Sequence, residues 1–195
     1  MRKAVFDSTN EEDKQFKACD FSKASMTRHS FVNCTFENCN FAEAMFQNSK
    51  FRCCTFTGCN LSLMKVEGCR FQDVTLINCK IVGVEFFKCE KTLFTLRIEK
   101  CSLQYCNFSD LRMRGQSFAG SKLKDCYFTN TYLVETDFSN TDLQGTNFQG
   151  CDLSKADFSG ATNYAIDPLN NKVRKAQFSL PEAANLLAGF DIVIT

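Results

Sequence analysis

The 195 residues carry 23 Lys and Arg against 22 Asp and Glu, a net charge of +1, with 44% apolar residues, 21 Phe, 13 Cys, one His and no Trp. That length fits one domain or two small ones, and the even charge balance argues against a general nucleic-acid binder, which carries a basic excess. The mixed charges of MRKAVFDSTNEEDKQFK and the lack of any apolar run near the ~20 residues of a membrane span speak against a signal peptide or anchor. The expectation is a cytoplasmic protein whose cysteines stay reduced.

In chain order, residues 1–15 are polar, interrupt the later pattern at Glu11 and are expected to cap one end. From Phe16 every fifth residue is apolar, through Phe21, Met26 and Phe31 to Phe86, and after a slip of two residues near 87–92 the series resumes at Leu93 and runs to Phe158. Sixteen of the 21 Phe fall in these 29 places, a period of five that neither a helix nor a strand generates. A second register, two residues earlier, holds Ala, Cys, Ser or Thr at 20 of its 29 places. One large and one small inward residue per five describe a narrow coil filled by its own side chains. After residue 160 a loop through Asp167-Pro168 leads to Ser179, which forms a capping box with Glu182 at the start of an expected helix. That helix carries an apolar stripe of Leu180, Ala183, Ala184, Leu186 and Leu187 and is terminated by Gly189, and a strand-like tail runs from Asp191 to Thr195. Helix and tail form either a lid on the coil or a contact with a second subunit. Their combined apolar surface exceeds what one coil end covers, which favours a homodimer through Leu180, Ala183, Leu186, Leu187, Phe190, Ile192 and Ile194.

The cysteines lie almost entirely in the small register, where free thiols pack as small hydrophobes. A metal or redox ladder is the rival, but Ala and Ser occupy equivalent places and no His lines up with them, so no metal and no cofactor is expected. His29 occupies a small inward place, where a hydrogen-bonded structural role outweighs that of a base. No nucleophile, metal or phosphate-loop motif appears. The expectation is a protein that is not an enzyme and has no catalytic residues.

The repeat unit, seen in Thr141-Asp142-Leu143, Cys151-Asp152-Leu153 and Ala156-Asp157-Phe158, resembles the pentapeptide-repeat family over residues 16–160. The resemblance implies an all-β solenoid, a right-handed quadrilateral β-helix with four repeats per coil, closed by a C-terminal capping and dimerisation helix within the loop, helix and tail of 161–195. Residues 20 apart then stack, which puts Cys19, Cys39, Cys59 and Cys79 in one column. Asn163-Tyr164-Ala165-Ile166-Asp167-Pro168 and Phe178-Ser179-Leu180-Pro181-Glu182-Ala183-Ala184 are similar to the C-terminal module of the Qnr-like members. Cys59-Asn60-Leu61-Ser62-Leu63 and the stretch from Asn78 to Val84 are similar to the albicidin-immunity type. This likeness implies a DNA-mimicking rod that binds DNA gyrase or topoisomerase IV and protects it from quinolones or antibacterial peptides, without membrane contact and without binding nucleic acid directly. Gram-negative Qnr proteins carry two sizeable loops, whereas this chain has room only for the small slip near residue 90.

Segment charges are +1 over 1–87, +5 over 88–124, −6 over 125–167 and +1 over 168–195. The acidic block makes Asp125, Glu135, Asp137, Asp142, Asp152 and Asp157 the candidate topoisomerase-contact surface. Asp137 and Asp157 stack at like charge, which is mildly unfavourable. Bonding of these Asp side chains to nearby turns is the structural alternative, and a scaffolding solenoid with another protein partner is the functional one.

Overall fold

The computed structural model of the protein describes residues 2–3, 9–190 and 192, with residues 2, 3 and 189 by their backbone alone. It is a β-solenoid of about eight turns with one short helix. Each turn has four faces, and each face stacks in parallel on the same face of the next turn, 20 residues on. The first face runs Phe16, Phe36, Phe56, Leu76, Ile98, then Phe118, Phe138, Phe158 and Phe178. At ~4.8 Å per step its eight steps span about 38 Å. The second face carries Phe21, Phe41, Leu61, Ile81, Leu103, Leu123 and Leu143, the third Met26, Phe46, Val66, Phe86, Phe108, Phe128, Phe148 and Ile166. The fourth begins at Glu11 and runs through Phe31, Phe51 and Phe71 to Met113, Leu133, Leu153 and Val173.

The core is a set of ring stacks. Along the first face, neighbouring rings lie 4.6 to 5.1 Å apart and near parallel. Across the interior, Phe118 meets Phe108 and Phe128 edge to face at 5.5 and 5.4 Å, an arrangement that adds about 0.5–1.5 kcal/mol per pair. In the second half Phe occupies the first and third faces while Leu or Met occupies the other two, so only one ring layer crosses the coil. The small register has a second task beyond fitting. Ser49, Cys69, Thr131, Thr136 and Thr146 donate to the carbonyls of Met26, Phe46, Phe108, Met113 and Leu123 on the previous turn at 2.5, 2.7, 3.1, 2.9 and 2.9 Å. Cys54, Cys59 and Cys79 make the same bond at 3.4 Å. Side-chain donors thereby add bonds to main-chain acceptors inside an apolar channel, some of which, as at Met26, Phe46 and Met113, also accept a turn N–H.

The corners impose a further rule that the two inward registers do not express. Every fifth residue from Asp13 to Gly83 and again from Lys100 to Gly160 has φ between 50° and 68°. This left-handed region costs most residues about 1–2 kcal/mol and is tolerated best by Gly, Asn and Asp, which is why these three recur there. At Gly58 the requirement is double, because a Cβ would overlap Oδ1 of Asn38 on the turn before.

Three local features depart from the sequence reading. At the slip, a 3₁₀ turn over Phe86–Lys88 and the loop after it change the pairing offset from 20 to 22, as in Thr75 with Thr55 against Arg97. Leu93, expected inside, is a left-handed corner residue and 69% exposed, while Phe94 is 3% exposed and fills the vacancy against Phe71 and Phe86. Pairing also extends beyond both expected limits: Asn10–Glu12 already pairs with the second turn, inside the stretch read as a cap, and Gln177–Phe178 still pairs with Asp157–Phe158, past residue 160. In that last turn the offset shortens to 18 between Asn147 and Ala165, and the Tyr164 ring, 5.9 Å from Phe158 and 5.6 Å from Phe178, fills the space of the missing residues. Finally, Ser179 makes no capping box. Its hydroxyl accepts the Gly160 N–H at 3.1 Å, and Glu182–Phe190 winds as a 3₁₀ helix started by the Ala183 and Ala184 N–H groups bonding Ser179 and Pro181 carbonyls. Of the expected tail only Ile192 is described; Ile194 lies outside the described residues.

Two sets of variants check the inner register. Phe138→Ala is expected to cost about 3–5 kcal/mol, and Asp137→Ala, one residue outward, about 1 kcal/mol for its bond to the Ser139 N–H; equal melting temperatures would contradict the register. The thiols give the second check. Burial pushes the Cys54 and Cys69 thiols up to about 12 and Cys151 to about 11. In the unfolded chain they ionise near 9, so their contribution to stability is complete below pH ~9 and is lost as pH rises from there towards 12. The urea midpoint is therefore expected to fall over that window, and exposed Cys53 to be alkylated in the native protein long before the buried thiols.

Candidate functional site

Among the described residues no group of three or more His, Cys, Asp and Glu is placed to hold a metal ion. Among the described residues no helix is long and apolar enough to cross a membrane. His29 is half-buried, with Nδ1 3.3 Å from the Thr27 carbonyl and its ring beside Phe31. A shallow groove of about 300 Å³ lies at the slip, lined by residues such as Asp73, Thr95, Arg97 and Gln116. The molecule offers faces and ends rather than a pocket.

The six candidate acids do not share one face. Asp137 and Asp157 stack on the first face, Asp125 and Asp142 lie on the second, and Glu135 and Asp152 on the fourth. The last two are neutralised by neighbours. Glu135 is 2.7 Å from Lys155 and 3.0 Å from Arg114, and these two cations hold its carboxyl below the usual range; Asp152 lies 3.8 Å from Lys172. Asp125, Asp137, Asp142 and Asp157 make no salt bridge among the described residues, so four of the six form an acidic zone over two adjoining faces, with Lys122 stacked directly before Asp142. Their positions have a local cause. Each Asp just before a central residue accepts the N–H two residues on, at 2.8 Å from Ser139, 3.3 Å from Gln144, 3.1 Å from Ser154 and 2.8 Å from Ser159. The turn-bonding alternative is thus present in the structure; beyond the turn, Asp137 also accepts the Ser117 hydroxyl at 3.4 Å and Asp142 the Asn163 amide at 2.8 Å.

The candidate dimer residues gather at the C-terminal end. Leu186 packs on the last turn and Ala183 is half-buried, whereas Leu180, Leu187, Phe190 and Ile192 are 83, 41, 45 and 56% exposed. Tyr164 brings in a feature the sequence did not single out. Its hydroxyl is buried without a partner among the described residues, because the ring was drawn inward by the shortened turn.

The family described as a pentapeptide repeat region matches residues 29–108 and 49–126, and eight copies of the pentapeptide repeat match residues 121–160. No curated protein matches the sequence. Among solved structures, a trypsin-treated variant of QnrB1, described as a plasmid-mediated fluoroquinolone resistance protein, is similar at 18% identity with a TM-score of 0.63, over 95% of this chain and 90% of that one. Full-length QnrB1 follows at 21% identity, TM-score 0.44, over 94% and 90%. HetL from the cyanobacterium Nostoc sp. strain PCC 7120, a pentapeptide repeat protein involved in heterocyst differentiation regulation, matches at 13% identity, TM-score 0.36, over 88% and 90%. The likeness to the QnrB1 variant establishes a common coil architecture. With family matches spanning residues 29–160 and that coil beneath them, the chain belongs to the pentapeptide-repeat family.

Proposed function

We propose that the protein is a non-catalytic, DNA-mimicking ligand of a type II topoisomerase, DNA gyrase or topoisomerase IV, which it protects from quinolones or albicidin-like peptides in the cytoplasm. The observation that carries this reading is the zone of carboxylates without salt bridges among the described residues, Asp125, Asp137, Asp142 and Asp157, towards the exposed apolar C-terminal end of the coil. A second copy of the chain docks on that end through Leu180, Leu187, Phe190 and Ile192. Two rods of about 38 Å joined there reach about 76 Å, the length of about 22 base pairs at ~3.4 Å each, with the acids of both copies near the middle. A basic saddle built for duplex DNA would meet negative charge where it expects phosphates. The fluoroquinolone resistance named for the QnrB1 variant supports a drug of that kind as the inhibitor countered. One observation favours the rival, a scaffold for another protein: every candidate Asp before a central residue also serves a turn.

Supercoiling by purified gyrase, with and without a quinolone or albicidin, separates the two. The protein is expected to restore supercoiling in the presence of inhibitor; no effect on either supercoiling or inhibition leaves the scaffold. Leu187→Asp with Phe190→Asp places charge in the subunit contact and spares Leu186. This variant is expected to sediment as a monomer with an unchanged β-rich circular dichroism spectrum and to lose protection. A fully protective monomer would overturn the two-subunit arrangement.

A further inference from the structure

The near-zero net charge conceals a sorting of charge by face. Between residues 50 and 175 the fourth face presents ten Lys and Arg against four Asp and Glu, a net of +6, while the first, second and third faces come to −1, +1 and −2. The cations form a longitudinal stripe: Lys50, Arg52 and Arg70 in the first half, Arg112 and Arg114 after the slip, and Lys172, Arg174 and Lys175 on the last turn. All are exposed. Among the described residues only Arg114, Lys155 and Lys172 of this face are in ion pairs.

We propose that this face binds the phosphate backbone of duplex nucleic acid, a function beyond the topoisomerase reading, independent of it and contrary to the expectation from net charge and family likeness that nucleic acid is not bound directly. Three observations lead there. Lys50 and Arg70 are direct register partners on adjacent strands, where like charges are destabilising; a fold that keeps them stacked gains nothing from them internally. Arg112 is held over the Tyr132 ring at 5.0 Å from its centroid, which fixes one guanidinium on the stripe. Among the described residues, Leu93 is the one large apolar side chain exposed on this face. A protein interface needs buried apolar or aromatic anchors at its centre, and a single strand needs free rings on which to stack bases; this face supplies neither. What it supplies is a row of point charges along the coil, broken between Arg114 and Lys172 by Tyr132, Glu135 and Asp152. From Lys50 to Lys175 the stripe covers six turns, about 29 Å at ~4.8 Å per turn, or some eight to nine base pairs at ~3.4 Å.

Such binding is independent of base sequence and governed by counterion release. Fluorescence anisotropy with a 20-base-pair DNA duplex is expected to show binding that weakens on the order of 10²-fold between 50 and 200 mM salt, as for about four neutralised phosphates. The variant Arg52→Glu, Arg70→Glu, Arg174→Glu is expected to bind at least tenfold more weakly. The charge-matched variant on the second face, Lys80→Glu, Lys122→Glu, Lys124→Glu, is expected to stay within about twofold, both retaining the native circular dichroism spectrum. Equal losses in the two variants would overturn the assignment to this face. Tighter binding of poly-glutamate than of DNA at the same salt would make the partner an acidic polypeptide, and no binding at 50 mM salt would overturn the proposal altogether.

Discussion

A coil of four five-residue sides encloses a channel one aromatic ring deep, and the rest of the molecule follows from that width. Each side can turn in one large and one small side chain. The large ones must stack at the strand spacing, which flat rings do at 4.6 to 5.1 Å. The small ones must leave room for the rings, which favours Cys, Ser, Thr and Ala, with Val, Leu or Met at Met64, Val74, Val84, Leu96 and Leu111 where the opposing residues leave space. Everything else in the repeat points outward and is free of the core, except the left-handed corner that closes each side.

This separation explains what could be read from the sequence. The period of five identifies the inward residues because burial in a uniform coil depends on position alone, and Phe138, Leu143 and Phe148 are buried as their register requires. The pattern fails where the coil is not uniform. Leu93 and Phe94 exchange roles because the slip lengthens the path by two residues, and whichever residue follows the corner turns in. Tyr164 enters the core because its turn is two residues short. Ser179 and Glu182 have the spacing of a cap, yet the Ser179 hydroxyl is captured by Gly160 from the neighbouring turn, a contact no local pattern encodes.

The surface was harder still to read. Summing charge along the chain made residues 125–167 look like one acidic block, but a coil distributes consecutive residues around its axis and collects residues 20 apart. Glu135 and Asp152 therefore fall among cations of the fourth face, while Asp137 and Asp157 remain together on the first. The same geometry gathers Lys50, Arg70 and Arg112, scattered in sequence, into one line. A solenoid with no excess charge can thus present separate acidic and basic surfaces to different partners.

The inner donors divide the rod into two materials. Up to the slip they are mainly thiols, which are weak donors, with Ser49 and Cys69 making the shortest bonds at 2.5 and 2.7 Å; beyond it the hydroxyls of Thr131, Thr136, Thr141 and Thr146 share the task with Cys101, Cys106 and Cys151. In a stack where each turn touches only its neighbours, loss of order spreads from the weaker end. The hydroxyl-bonded turns are those that carry the acids without salt bridges and adjoin the apolar end.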